Sequence, residues 1–116
     1  MAPVGAPSAG PTAAPSGTII PLVWDFQTSP SYPDQTAKVG DTVEFTWTGF
    51  HGVYRVPDGT CPASYSPNPP LMVEVAPETS GGAASFEFDA PGDYFFACQV
   101  PGHCDGGGMI VKYTVA

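Results

Sequence analysis

Three short segments alternate apolar and polar residues with a period of two: "DTVEFTW" (41–47), "ASFEFDA" (84–90) and "MIVKYTV" (109–115). Such a pattern puts one side of an extended chain into a core and leaves the other in water. Val43, Phe45 and Trp47 share one face of the first. Phe86 and Phe88 face inward in the second, and Met109, Val111, Tyr113 and Val115 in the third. Apolar residues nowhere recur at helical spacing over three turns. "APGD" (90–93) makes a tight turn into the apolar run "YFFACQV" (94–100). "IIPLVWDF" (19–26) is a further strand candidate whose Pro21 confines its start to an edge or a bulge. "PDGTCPASYSPNPP" (57–70) holds five prolines and is predicted as loop, at most with a short helical turn. Short strands split by Gly/Pro turns predict an all-β chain, an antiparallel sandwich or barrel.

Residues 1–17 are nearly all Ala, Pro, Gly and Ser, with prolines at 3, 7, 11 and 15. They offer nothing to a core and read as a linker or stalk, so the folded domain is expected over 18–116. The length of 116 residues suits one domain. Charge narrows the partners. Eleven acids against three bases give a net charge of -8, and Lys38, Arg55 and Lys112 cannot form a basic stripe for nucleic acid. A charged partner should be basic. No apolar run approaches a membrane span. No basic-then-apolar leader opens the chain, which predicts either an intracellular protein or one whose signal peptide has been removed.

The chemistry concentrates in "CQVPGHCDGGGM" (98–109), which holds two of the three cysteines and one of the two histidines. Cys98 ends an apolar strand candidate, and one loop returning to the sheet can aim Cys98, His103 and Met109 at a point. His51, in "TGFHGVY" just past the first alternating strand, can reach the same end of the sheet. A thiolate, two imidazoles and a weak thioether form the blue-copper donor set. If Cys61 and Cys104 pair, Cys98 is the odd thiol left for metal. The competing set for a structural zinc takes Cys98, His103, Cys104 and either Cys61 or His51. It leaves Met109 unexplained and asks neighbouring residues to converge on one ion. A purely structural or signalling β-sandwich is the other alternative.

On these residues the chain resembles the phytocyanins, a branch of the cupredoxins. "KVGDTVEFTW" is similar to the family's opening strand motif. "PGDYFFACQVPGHCDGGGM" is similar to its signature PG-x-Y-F-x-C-x-x-x-G-H-C-x-x-G-M. The resemblance implies a Greek-key β-sandwich or barrel of about seven to eight strands and one type 1 copper. It implies His51, Cys98 and His103 as equatorial ligands, Met109 as axial ligand, and a Cys61–Cys104 disulfide. Methionine at the axial place is more like the plantacyanin and uclacyanin branch than the stellacyanins. The implied function is single-electron transfer between Cu(II) and Cu(I), without enzyme activity. A monomer is expected, with a redox protein partner approaching His103 past Phe50, Pro101 and Gly102. An oxidising compartment, secreted, cell-surface or lumenal, follows from the disulfide. Two departures stand out. The stretch from His103 to Met109 carries one residue more than the signature, and Gly52 stands where the family carries asparagine. Both predict weaker support for the ligands.

Overall fold

The computed structural model describes residues 17–27 and 31–116, so the reading of 1–17 as a linker lies, Gly17 apart, outside the described residues. Six strands are present among them: β1 (Ile19–Val23), β2 (Gln35–Ala37), β3 (Thr42–Val56), β4 (Val73–Glu87), β5 (Gly92–Ala97) and β6 (Ile110–Val115). There is no helix among the described residues, and 57–70 is loop with one isolated bridge between Asn68 and Met72. The strands run in the order β1-β3-β5-β6-β2, with β4 added on β3.

The alternation read from the sequence is kept where it was clearest. Val43, Phe45 and Trp47 are buried on β3, and Val111, Tyr113 and Val115 on β6, with Met109 just ahead of it. Two pairings depart from a wholly antiparallel sandwich: β1 runs parallel to β3, and β2 parallel to β6. β1 stops at Val23, so Trp24, Asp25 and Phe26 of the "IIPLVWDF" run lie beyond it. Pro21 sits on β1, a strand paired among the described residues only with β3, where a missing N–H is tolerated.

β3 organises the molecule. Its 15 residues pair with β4 on one edge from Thr42 to Arg55. The other edge takes β1 along Thr42–Thr46 and β5 only from Tyr54 onward. Between those two partners the sheet divides into layers, and the core fills the space between them. Phe45 of β3 and Phe96 of β5 meet edge to face at 5.2 Å, as do Phe86 of β4 and Phe96. Trp24 and Tyr113 close the same cluster. A smaller cluster, Tyr54, Val56, Ala97 and Cys104, lies on the other side of β5.

Candidate metal centre

The division of the sheet places His51 at its mouth. The β3–β4 register slips between Trp47 and Phe50 and again between His51 and Val53. Bulges of this kind re-aim a side chain out of the ladder. Here they turn His51 inward, 2% exposed. Cys98 follows the last residue of β5 and is fully buried, its N–H donating to Met109 O at 3.1 Å. His103 comes from the loop between β5 and β6. That loop is cinched by N–H groups of Gly106 and Gly107 on Gly102 O, both 3.0 Å, and by Met109 N–H on His103 O at 3.0 Å. Met109 is thus bonded through its backbone to both Cys98 and His103, and its side chain is buried in the same cluster as Cys98.

Three donor atoms face one another. His51 Nδ1 lies 3.0 Å from His103 Nδ1, and Cys98 Sγ lies 3.9 Å from the first and 3.5 Å from the second. A triangle with these sides has its centre about 2.0 Å from every corner, the length of a metal–imidazole bond. No other group of three or more His, Cys, Asp or Glu among the described residues converges in this way. Soft sulfur and two imidazoles, with the buried Met109 bonded through its backbone to Cys98 and His103, fit one type 1 copper.

The electrostatics suit a cation. Burial pushes the Cys98 thiol above its ordinary range, opposed by the N–H groups of Gly52 and Val100 directed at the sulfur. The thiolate therefore needs a positive charge to form, which a bound metal supplies. Burial, with the neighbouring His51, lowers the His103 pKa, so its ring favours the neutral, ligating state.

Cys61 and Cys104 are disulfide-bonded, with Cα atoms 5.8 Å apart. The bond joins the proline-rich loop to the residue after His103, under the edge-to-face pair Tyr54–Tyr65. It also removes both cysteines from the tetrahedral zinc set. Cys98 is left as the free thiol.

The two departures in the ligand loops have physical reasons. The glycine run is packed, not loose. A Cβ at Gly106 would lie 2.8 Å from Gly102 O, and one at Gly107 would strike the Phe26 ring and come 2.6 Å from His103 O. Gly108 takes a φ of 68°, which favours glycine. At Gly52 the space for a side chain is filled by the Gln99 amide, whose Nε2 donates to Ala76 O at 3.0 Å. A side-chain tie exists, but it starts at the neighbour of Cys98, passes over the neighbour of His51 and ends on β4.

Sequence reading missed Gln99 and the segment Trp24–Gln27. Trp24 Nε1 donates to Gly52 O at 2.8 Å, and Gln27 N–H donates to Gly107 O at 2.7 Å. Between them Asp25 Oδ1 lies 3.5 Å from His51 Nε2, and the Phe26 ring stands edge to face against His103 and His51, at 4.7 and 5.4 Å. The only local hint is an acid between two aromatics directly after an edge strand.

Division of the sheet around a rim-set His, Cys and His defines a cupredoxin fold. A family model described as plastocyanin-like domain matches residues 24–109, and the chain belongs to that family. No curated protein matches the sequence. Among solved structures, dithionite-reduced auracyanin from the photosynthetic bacterium Roseiflexus castenholzii is 23% identical. It aligns over 87% of this chain and 98% of its own, with a TM-score of 0.53. Spinach plantacyanin is 19% identical over 84% of this chain and 99% of its own, with a TM-score of 0.54. At these identities the likeness is one of fold.

Proposed function

We propose that this protein is a blue copper electron carrier, with His51, Cys98 and His103 as equatorial ligands and Met109 as the axial one. The observation that carries the reading is the donor triangle, whose centre stands at metal-bond length from two imidazoles and within about 0.3 Å of it from a thiol. Bound copper supplies a one-electron Cu(II)/Cu(I) couple, and the residues do the rest. Cys98 gives up its proton to become the soft anionic ligand. His51 is fixed by a bulged strand and His103 by a cinched loop, so the donor atoms hold still when the charge changes. Met109 closes the set from within the core. Three protein donors and a thioether leave no open position for a substrate, which supports a carrier and not an enzyme.

Partner and compartment follow from the same features. His103 is half-buried, with the exposed Phe26 ring against both histidines and exposed Phe50 next to His51 in the chain, so an electron partner meets this end. The net charge of -8 favours a basic partner for a chain acting as a monomer. The Cys61–Cys104 bond fits an extracellular or otherwise oxidising compartment.

Adding Cu(II) to the purified protein should give the intense blue of thiolate-to-copper charge transfer. Cys98→Ser should abolish it. Cys61→Ser should keep the colour while costing about 4 kcal/mol of unfolding free energy, from a bond spanning 43 residues in the chain-entropy picture. Met109→Leu should raise the reduction potential; an unchanged potential and spectrum would reduce Met109 to packing. A protein that stays colourless and binds zinc instead overturns the reading.

A further inference from the structure

His51 has two ring nitrogens, and the donor triangle uses only one. Nδ1 faces Cys98 and His103. Nε2, on a ring 2% exposed, has Asp25 Oδ1 at 3.5 Å. A carboxylate against the outer N–H of a ligating imidazole fixes its tautomer and raises its basicity.

Asp25 is held where it can do this. Its Oδ1 accepts the Phe26 N–H at 2.7 Å, which turns the carboxylate back over its own segment. Its backbone N–H donates to the Tyr32 hydroxyl at 2.9 Å. Tyr32 stacks on Trp24 with ring centroids 5.4 Å apart, and Trp24 is itself bonded to Gly52, the residue after His51. Asp25 remains 58% exposed, so keeping its charge there costs little desolvation. Lys38, Arg55 and Lys112, the chain's three cationic side chains, form no ion pair with it; the one Lys or Arg pair among the described residues joins Lys112 to Asp93.

We infer that Asp25 is a positioning residue for the metal ligand His51. It holds the ring as the Nε2–H tautomer, which leaves Nδ1 free to bind copper, and its negative charge favours Cu(II) over Cu(I). This rests on the copper reading above, but it concerns a residue outside the ligand set.

Asp25→Asn tests it, because the amide oxygen still accepts the Phe26 N–H while the charge is lost. Cu(II) affinity should fall on the order of tenfold, with a smaller change for Cu(I). The potential should therefore rise by up to about 59 mV, the one-electron equivalent of a full tenfold difference between the two states. In metal-free protein in mildly alkaline buffer, nitrogen-15 spectra should show His51 as Nε2–H, kept in Asp25→Asn, whose amide oxygen still faces that nitrogen, and moving to a tautomer mixture in Asp25→Ala. Unchanged copper affinities and potential, with only a lower melting temperature, overturn the inference, whatever the tautomer does. If the unaltered protein takes up no copper, the proposed function fails, and an unchanged tautomer ratio in Asp25→Ala then rejects the role of Asp25 separately.

Discussion

Gly52 and Gln99 show how one residue's absence is another's place. Glycine at 52 leaves room for the Gln99 amide, which links the Cys98 segment to Ala76 on β4. Gly52→Ala forces that amide out and should destabilise the protein by about 1–3 kcal/mol. The clash is with the far end of a flexible side chain, so Gln99→Ala in the same molecule should recover at least about 1 kcal/mol of it. Urea unfolding of the two single variants and the double variant reads this coupling directly. Additive losses would show that Gln99 does not occupy the space above Gly52. Neither residue announces this in the sequence, because the pair is 47 positions apart.

β1 and the Trp24–Gln27 segment matter at the scale of elements. β1 is an edge strand, held by its ladder to β3 and at its start by Asp41, whose carboxylate accepts the N–H groups of Thr18 at 2.8 Å and Lys38 at 2.9 Å. Those two bonds lower the Asp41 pKa below its ordinary 3.8. A carboxylate with a depressed folded pKa adds stability above its unfolded value, and that stability is lost as pH falls through the folded one. Protection of the Thr18 and Lys38 amides, taken relative to the intrinsic exchange rate at each pH, should therefore hold down to about pH 4 and fall in stronger acid. Asp41→Asn should remove that acid step and speed exchange at neutral pH. Strand alternation made β3 and β6 legible because burial on one face is a local, period-two property. The parallel pairings of β1 and β2 were not legible, since alternation states which face is buried and not which neighbour lies alongside.

Charge acts over the whole molecule. With 11 acids and three bases, the protein draws cations toward itself from beyond contact distance. Electron transfer to a cationic inorganic complex should outpace transfer to an anionic one of similar driving force, and raising the salt should shrink the gap. Stopped-flow rates at low and high ionic strength check this; equal rates at low salt would count against a basic partner.

The proposed ligands were legible for a physical reason. Cys98, His103 and Met109 sit within 12 residues, and His51 comes just after an alternating segment, 41–47, strong enough to fix its own direction. Soft and imidazole donors at one sheet end point to a metal without any coordinates. The sequence by itself thus determined the all-β class, the inward faces and the residue types that can hold copper, all of them short-range consequences of side-chain chemistry. Only the tertiary structure decided that the glycine run is packed against Phe26, that Gln99 supplies the tie above Gly52, and that Asp25 stands behind His51. Those contacts join segments far apart in the chain, and they exist only once the sheet has divided and β1 has been laid along β3.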